Sequence, residues 1–271
     1  MEALSTLIGE AVARGGEMAI SLRHIEREEA FDHLPDLPFV AASTIKLPVL
    51  VALYDAAARG RVALDAKVRL RPADQVSGSG VLQSLTPGVR LSLRDLAELM
   101  IVVSDNAATN MILDRIGLVE VNACLEGLGM RTTRVLRGLQ IIPAAAKGFN
   151  TVTAGELTGL LLRIARGKAV SWEASRRMIA TLKRQQIHHA LPALLPDPAD
   201  AEEPPVGAIP AWELAHKTGS IPGHEHDVGI LYLGGQTIVV SVLTRGCGER
   251  RAARGLIARV GRAVWAHYAG Q

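Results

Sequence analysis

The pattern of apolar and polar positions divides the chain into three parts. Residues 3–13 have the spacing of a short helix, and two strand-like segments, "EMAISLRHIE" and "REEAFDHL", follow Gly15 and Gly16. From residue 43 to about residue 189 the spacing is overwhelmingly helical. A proline-dense, acidic connector then leads to the segments "WELAHKTGS", "DVGILYL" and "TIVVSVLTRG", which are typical of strands, and to a last helix.

This order of elements predicts an α/β (α+β) fold. Strands at both ends of a helical middle indicate an antiparallel sheet that the two termini complete together, flanked by helices. The helical part would then be an inserted all-helical domain. We expect a discontinuous sheet domain from residues 1–42 and 211–271, and a helical domain from residues 43–210 that includes the proline-rich connector.

Two of the predicted helices begin with a capping box. "LSLRDLAELMIVV" has Ser92 followed three positions later by Asp95, and "TAGELTGLLLRIA" has Thr153 followed by Glu156. In this motif the hydroxyl and the carboxylate each accept a backbone N–H at the start of the helix. We therefore interpret Glu156 as a helix cap rather than a catalytic acid.

Composition excludes several classes of protein. Hydrophobic residues make up 48% of the chain and the net charge is only +3, so we expect a folded globular protein that does not bind nucleic acid. The last helix has three arginines on its outer face, which we interpret as a solvated surface: Arg254, Arg259 and Arg262. Its inner face is apolar: Leu256, Val260 and Val264.

The sequence predicts neither a membrane segment nor a disulfide. The charge-free run from Val228 to Thr244 is broken by Gly234 and Gly235 and fits two buried strands joined by a tight turn. Two cysteines with no metal-binding spacing are expected to be free thiols: Cys124 and Cys247. No signal-peptide pattern is visible, so we expect a cytoplasmic protein as sequenced, or a periplasmic or secreted one if a leader is missing.

The stretch "FVAASTIKLPVLVALYDAA" contains a serine and a lysine within an apolar helix. Ser43 and Lys46 lie three positions apart, and no acidic residue occurs in the stretch before Asp55. Residues at this spacing share one face of a helix, so the hydroxyl and the amine can meet. The first N–H groups of the helix would lie beside the hydroxyl, where they could stabilise an oxyanion.

The missing carboxylate has a chemical consequence for the lysine. Lowering its pKa from about 10.4 to about 7, so that it can accept a proton at neutral pH, requires roughly 4.6 kcal/mol of disfavoured charge. Apolar burial and a second nearby cation would supply that energy, whereas an acidic partner would keep the amine charged. Lys46 is therefore a candidate general base.

Two further triplets accompany this pair. Ser104, Asp105 and Asn106 stand between two helical stretches, and Lys217, Thr218 and Gly219 stand at the end of a strand. Together the three motifs, in this order, resemble those of class A β-lactamases and penicillin-binding proteins. The resemblance extends from "PFVAASTIKLPVL" through "LSLRDLAELMIVVSDNAATNMIL" to "HKTGS" and the final helix. It implies a sheet domain, an all-helical domain and an active site in the cleft between them.

The resemblance also implies roles for the residues in the motifs. Ser43 would be the nucleophile and Lys46 its general base or proton shuttle. Ser104 would relay a proton to the leaving nitrogen, and Lys217 would be the second cation. The backbone N–H groups of Ser43 and Ser220 would form the oxyanion hole.

Other residues of the same motifs would bind the substrate. Asn106 would hydrogen-bond the acyl-amide side chain and Thr218 the substrate carboxylate, and Ser220 would lie beside them. Gly219 fits a strand that a substrate approaches closely. Arg245 is a further candidate for contact with a carboxylate, although a surface arginine is an equal alternative.

One part of the class A pattern is missing. These β-lactamases deacylate with a glutamate in the loop after the Ser-Asp-Asn helix, but residues 131–155 contain no acid. Counting from Arg134 and Arg137 puts Leu139 at the glutamate position with Gln140 beside it, and Asn150 stands where an aspartate usually closes the loop. Since leucine cannot activate water, we expect slow deacylation.

Several functions remain open at this stage. The first is a β-lactamase-like serine hydrolase, of the kind associated with antibiotic resistance, that forms an acyl-enzyme with β-lactams or related amides and esters. The alternatives are a penicillin-binding D,D-carboxypeptidase or esterase that acts on acyl-D-Ala-type substrates, and a sensor that stays acylated. In each case we expect no cofactor, no metal and no macromolecular partner, with a monomer favoured and the oligomeric state open.

Two rival patterns are weaker. His224 and His226, with His188 and His189, could suggest a metal site, but no third ligand has convincing spacing. We expect the first pair to line the rim of the cleft, where it could bind substrate or assist water. The "SGSG" stretch from Ser77 lacks the rest of a phosphate loop, so we interpret it as a flexible connection.

Overall fold

The chain folds around one antiparallel sheet with helices on both faces. A computed structural model describes residues 2–139, 148–198 and 209–270. Nine strands are defined in these residues: β1 Glu17–His24, β2 Ala30–His33, β3 Phe39–Val40, β4 Lys67–Arg69, β5 Arg90–Ser92, β6 Thr151–Val152, β7 Trp212–Ile221, β8 His224–Leu233 and β9 Gln236–Arg245. Eight α-helices accompany them: α1 Glu2–Ala13, α2 Lys46–Ala58, α3 Leu93–Val102, α4 Asn106–Ile116, α5 Leu118–Gly127, α6 Ala154–Ala165, α7 Trp172–Lys183 and α8 Arg250–Ala269.

The main sheet has five strands in the order β2-β1-β9-β8-β7, all antiparallel to their neighbours. Its first two strands come from the beginning of the chain and the other three from the end, as predicted. The charge-free run is the hairpin of β8 and β9, joined at Gly234 and Gly235. None of the described helices is both long enough and apolar enough to span a membrane.

Each face of the sheet covers its own apolar core. One core lies between the sheet and the two terminal helices, where Leu4 of α1, Val240 of β9 and Leu256 of α8 are buried together. The other core lies on the opposite face, where Ala19 of β1 and Val239 of β9 pack with the helical part of the chain. The alternation along β9 explains the arrangement, because successive side chains point to opposite faces.

The predicted helical middle contains more than helices. Three short strands interrupt it, and one of them, β6, pairs with β3 across the chain. The capping box of Ser92 and Asp95 forms as predicted, with both hydrogen bonds present. In α6 Thr153 accepts the N–H of Glu156, but the Glu156 carboxylate bonds elsewhere, as described below. The domain boundaries at residues 42 and 211 stay a prediction.

The last helix differs from the prediction at one arginine. Its predicted apolar face is buried, and Arg259 pairs with Glu10 of α1 at the surface. Arg254, which we expected to face solvent, instead reaches Glu225 of β8. Because β8 begins beside the first turns of α8, a long side chain there can contact the sheet, which the helical periodicity alone did not indicate.

Strand β7 is one of the two edge strands of the main sheet, and it packs against the turn that carries Ser43. Gly219 makes this contact possible, because a Cβ there would lie 3.0 Å from Thr44 Cγ2 and 3.3 Å from Ala41 O. We expected a glycine for the approach of a substrate. The structure gives another reason: the protein's own backbone occupies that space.

Two glycines of α8 provide a matched test of the packing. A Cβ at Gly261 would lie 2.1 Å from Leu191 O, whereas a Cβ at Gly255 would meet no atom within 4 Å. We expect Gly261→Ala to lower the free energy of unfolding by about 1–3 kcal/mol, because α8 must move away from residue 191. Gly255→Ala should raise it by roughly 0.5–1 kcal/mol, because alanine favours the helix.

Urea unfolding of both variants measures the difference. Equal stability of the two variants would contradict the described contact between α8 and the turn at residues 191–194.

Candidate active site

The three predicted motifs meet where α2, the α3–α4 connection and β7 come together. Ser43 lies in a short 3-10 turn, Ala42–Ile45, that continues directly into α2. Ala42, the residue before Ser43 in this turn, has a φ of 45°, a left-handed conformation that is unfavourable for alanine. Such strain is typical of positions that the surrounding fold holds for a function.

Lys46 is fully buried, and no carboxylate touches its amine. Its Nζ donates to the backbone oxygen of Ser104 at 2.6 Å, to Ser104 Oγ at 3.0 Å and to Asn106 Oδ1 at 2.8 Å. All three acceptors are neutral. Three hydrogen bonds therefore orient the amine, and no negatively charged group in contact with it stabilises its protonated form.

Lys217 of β7 approaches the same hydroxyl from the other side. It is also fully buried, and its Nζ donates to Ser104 Oγ at 3.0 Å and to the backbone oxygen of Thr218 at 2.8 Å. Ser104 Oγ thus accepts from two lysine amines that come from different parts of the chain. The Ser104 backbone has a φ of 56°, so this residue is also held in an unfavourable conformation.

The surroundings lower the pKa of both lysines. For Lys46, burial is the largest cause and the charge of Lys217 the second, and together they hold the pKa well below its usual range despite an opposing effect of Asp105. Burial lowers the pKa of Lys217 to about 7, against an opposing effect of Asp227. A lysine with such a pKa can accept a proton near neutral pH.

Asp105, the middle residue of its motif, has a structural role. Its Oδ1 accepts the N–H of Ala108 and caps α4, and its Oδ2 accepts the N–H groups of Val81 and Leu82 at 2.7 and 2.9 Å. A Cβ at Gly80 would lie 2.2 Å from the Asp105 carboxyl carbon. The carboxylate therefore fixes the segment after residue 80 against the start of α4.

The "SGSG" segment is consequently a fixed wall and not the flexible connection that we expected. Asn106 donates from Nδ2 to the backbone oxygen of Ser77 and from its backbone N–H to that of Ser79. Gln83 adds hydrogen bonds to the backbone oxygens of Gly78 and Gly80. The contacts of Asn106 join segments 29 residues apart in sequence, which the local composition did not indicate.

Ser43 opens into a cavity of about 660 Å³. Its walls come from the turn at Ser43, the segment at residues 78–79, the start of α4, the loop after α5 and the end of β7. The lining residues are Val40, Ala42, Ser43, Gly78, Ser79, Asn106, Arg137, Gly138, Leu139, Phe149, Asn150, Ser220, Ile221, Pro222 and Arg250. Ser43 and Ser220, whose N–H groups form the predicted oxyanion hole, are both among them. None of these described residues is a carboxylate.

Leu139 lies in the cavity wall, and its backbone is held in place by α4. Its N–H donates to Asn110 Oδ1 at 2.7 Å, and its backbone oxygen accepts from Asn110 Nδ2 at 2.8 Å. Asn110 was not singled out from the sequence, although it lies one helical turn after Asn106. Gln140, the other residue considered at the glutamate position, lies outside the described residues.

Asn150 closes the loop that carries Leu139. Its Oδ1 accepts the N–H groups of Leu136 and Arg137 at 2.8 and 3.1 Å, and its Nδ2 donates to the backbone oxygen of Arg137 at 3.0 Å. Its backbone oxygen accepts the N–H of Ala41, next to the turn with Ser43. The neutral side chain of Asn150 thus holds the two ends of the loop together without an ion pair, and its backbone connects the loop to the segment before Ser43.

The Glu156 carboxylate holds the beginning of the same loop. It accepts three backbone N–H groups, from residues 131, 132 and 133, at 2.6–2.8 Å. Burial acts to raise the pKa of Glu156, but hydrogen bonds from Thr133 and from the backbone outweigh it and lower the pKa. Glu156 is therefore a structural acid, but it caps the loop rather than its own helix.

Glu225 is a second buried acid that the sequence analysis did not identify. It is 3% exposed, accepts a hydrogen bond from Ser220 Oγ at 2.6 Å and pairs with Arg250 and Arg254 of α8. The hydroxyl of Ser220, a residue of the cavity lining, is thereby held by Glu225. The sequence analysis weighed the neighbouring His224 and His226 as residues of the cleft rim and did not consider Glu225 between them.

The histidines do not gather at the cavity. His226 is buried, its Nε2 lies 2.9 Å from the backbone oxygen of Val40, and its Nδ1 accepts the N–H of Thr244. Burial lowers its pKa to about 4. With both ring nitrogens engaged, His226 cannot assist water as we had considered. Among the described residues no group of three or more histidine, cysteine or acidic side chains could hold a metal ion.

Three predicted substrate-binding residues stand apart from the cavity lining: Thr218, Arg245 and Gly219, which packs against the turn at Ser43. Thr218 is buried in β7 and its backbone oxygen accepts from Lys217. Arg245 contacts the carboxylate of Glu17 and lies over the ring of Phe39, with its guanidinium 5.2 Å from the ring centre. The assignment of a substrate carboxylate to Arg245 stays a prediction.

An antiparallel sheet flanked by helices, a serine at a cavity and two buried lysines that share one serine hydroxyl are typical of a class, the β-lactamase-like hydrolases. The model of the family described as "Beta-lactamase enzyme family" matches residues 1–268, so the chain belongs to that family. The chain is 27% identical over 228 residues to a "Beta-lactamase" of Rhodobacter capsulatus, which covers 81% of this chain and 72% of that protein.

Solved structures agree over nearly the whole chain. The β-lactamase of Sphaerobacter thermophilus has a TM-score of 0.89 and 32% identity, covering 98% of this chain and 97% of its own. PBP-A has a TM-score of 0.86 and 27% identity, covering 100% of this chain and 97% of its own. The same protein has been solved as a leucine-to-glutamate variant in an acyl-enzyme complex with penicillin G, with a TM-score of 0.85.

The lowered pKa of Lys217 predicts a pH-dependent stability. Because its pKa falls from 10.5 to about 7 on folding, the unfolded chain binds one more proton than the folded chain between these values. The free energy of unfolding therefore rises with pH in that window, by up to about 1.4 kcal/mol per pH unit. We expect Lys217→Met to lose this contribution.

The measurement is urea unfolding of both proteins between about pH 7 and about pH 9, where the wild type should gain roughly 1 kcal/mol per pH unit over the variant. Lys67→Met, at an exposed position of β4, is the control and should keep the wild-type slope. Parallel pH profiles of wild type and Lys217→Met would contradict a neutral amine.

Proposed function

We propose that this protein is a serine hydrolase that forms an acyl-enzyme at Ser43 with β-lactams or related amides and esters, and that releases the acyl group slowly. The observation that carries the proposal is a contrast between two parts of the site. The two lysine amines that would serve acylation both contact Ser104 Oγ, whereas Leu139 stands at the position that the resemblance gives to a water-activating acid, and no described residue of the cavity lining is a carboxylate.

Acylation follows from the arrangement of the amines. Lys46 takes the proton of Ser43, whose Oγ forms a bond to the carbonyl carbon of the substrate. The developing oxyanion accepts the N–H groups of Ser43 and Ser220. When the C–N bond breaks, Ser104 gives its proton to the leaving nitrogen and recovers one from the amines that contact its hydroxyl. The net result is transfer of the Ser43 proton to the leaving group.

Deacylation lacks an equivalent group. Water must attack the ester at Ser43 and lose a proton, and the apolar side chain of Leu139 can neither orient that water nor accept the proton. Asn110 fixes the backbone of Leu139 through two hydrogen bonds, so another residue of the wall does not readily replace it. We therefore expect the acyl-enzyme to accumulate.

A penicillin-binding D,D-carboxypeptidase or esterase is the second candidate. The likeness to PBP-A over the full chain supports it. A leucine-to-glutamate variant of that protein is described as an acyl-enzyme complex with penicillin G, which agrees with acylation by a β-lactam in all of these candidates. A sensor that stays acylated would share the same chemistry up to the ester. The lifetime of the adduct and turnover of D-Ala-D-Ala peptides separate these candidates.

The decisive experiment is intact-protein mass spectrometry during incubation with a chromogenic cephalosporin, while its hydrolysis is followed by absorbance. We expect a stoichiometric adduct on the wild type that outlasts the initial burst. Ser43→Ala is the control and should show neither adduct nor burst. Steady hydrolysis without an adduct would refute slow deacylation, and the absence of both would refute acylation by β-lactams.

Leu139→Glu tests the reason for slow release. A carboxylate on the fixed backbone of residue 139 should activate water and shorten the adduct lifetime by about a hundredfold, the lower range for a general base. Leu139→Gln is the matched control, because it has the same shape without the charge. The decay of the adduct in a mass-spectrometric pulse-chase gives the rates. If the two variants release the acyl group equally fast, the wall residue is not the limiting factor.

A further inference from the structure

The loop that carries Leu139 also places an unusual cation in the cavity wall. The guanidinium of Arg137 lies over the ring of Phe149, 4.8 Å from the ring centre, and both residues line the cavity. Phe149 is 57% exposed, which is high for a phenylalanine. A ring and a cation stacked in this way present an apolar surface and a set of N–H donors side by side.

Arg137 has no carboxylate partner within the described part of the chain. The other arginine of this loop, Arg134, pairs with Glu126, and Arg250 in the opposite wall pairs with Glu225. Asn150 binds only the backbone of Arg137 and, as a neutral amide, cannot neutralise its side chain. By sequence, residues 140–147 between Leu139 and Gly148 contain no acid. The charge of Arg137 is therefore open to an anion from the cavity.

The position of Arg137 indicates which part of a substrate it would meet. It is two residues before Leu139, whose backbone is bonded to Asn110, and Asn110 lies one turn after Asn106 on α4. In the proposed function Asn106 contacts the acyl-amide side chain, whereas Thr218 of β7 contacts the leaving half of the substrate. Arg137 thus belongs to the acyl side of Ser43.

We propose that Arg137 and Phe149 form a subsite for acyl groups that carry a carboxylate next to an aromatic or apolar group. The guanidinium would bind the carboxylate through two N–H donors, and the ring would pack against the apolar part. The absence of any acid among the described lining residues strengthens this preference, because nothing there repels the anion. The inference rests on the proposed acylation of Ser43.

Two penicillins form a matched pair of probes. Carbenicillin is penicillin G with one additional carboxylate on the carbon between the phenyl ring and the amide. Intact-mass spectrometry gives the second-order rate constant of Ser43 acylation for each penicillin. In the ratio of the two rate constants, the effect of every contact that both penicillins make cancels. We expect the wild type to acylate about tenfold faster with carbenicillin than with penicillin G, which corresponds to about 1.4 kcal/mol.

Arg137→Gln should abolish that preference, so that the ratio of the two acylation rate constants falls from about ten to about one. Arg137→Lys should keep part of it, since a charge remains without the paired donors. Arg90→Gln removes an exposed arginine from β5 and serves as the control for net charge, with an unchanged ratio. The preference of the wild type should also weaken as the salt concentration rises.

The outcomes are distinguishable from failure of the proposed function. If neither penicillin acylates Ser43, the proposed function fails. If both acylate at similar rates and Arg137→Gln leaves the ratio unchanged, the subsite alone is refuted. If Arg137→Gln slows both penicillins equally and lowers the Tm, Arg137 stabilises the loop and the subsite is likewise refuted. The salt dependence is measured on the wild type alone, so this test does not require any variant to fold.

Discussion

The candidate active site depends on two lysine amines that are buried without a carboxylate in contact and that both donate to one serine hydroxyl. Burying an amine disfavours its charged form, and a second amine nearby adds to the effect. Lys46 and Lys217 therefore both have lowered pKa values, and Ser104 accepts a hydrogen bond from each. This arrangement costs stability at neutral pH, and the fold must hold both side chains in place against it.

The surrounding acids are used to build the walls and not to neutralise the amines. Asp105 fixes the segment after residue 80, Glu156 fixes the start of the loop with Leu139, and Glu225 holds Ser220 and two arginines of α8. Each accepts several hydrogen bonds, which satisfies a buried carboxylate. The cavity is thus bounded by rigid segments, while the described residues that line it contain cations and no acid.

The chain belongs to the β-lactamase enzyme family, and in the proposed function its buried amines serve acylation of Ser43. Leu139 lies in the cavity wall, at the position to which the resemblance assigns a water-activating acid. Asn150, a neutral amide where the class A pattern has an aspartate, is a second difference in the same loop. It closes the loop through backbone contacts alone, and as a result the guanidinium of Arg137 faces the cavity unpaired by any carboxylate of the described chain. Slow release and a preference for anionic acyl groups would then share one structural origin.

The sequence alone determined the fold class, the sheet built from both ends of the chain and the three motifs, because hydrophobic periodicity and motif spacing are local properties. It also identified Leu139 by counting from the arginines of the loop. Only the tertiary structure assigned the roles of Glu225, Asn110 and Gly219. Their partners come from other segments of the chain, and the hydrophobic periodicity of one segment does not indicate which other segment it contacts. The same reason explains why His226, suggestive in sequence, proved to be held by backbone groups on both ring nitrogens.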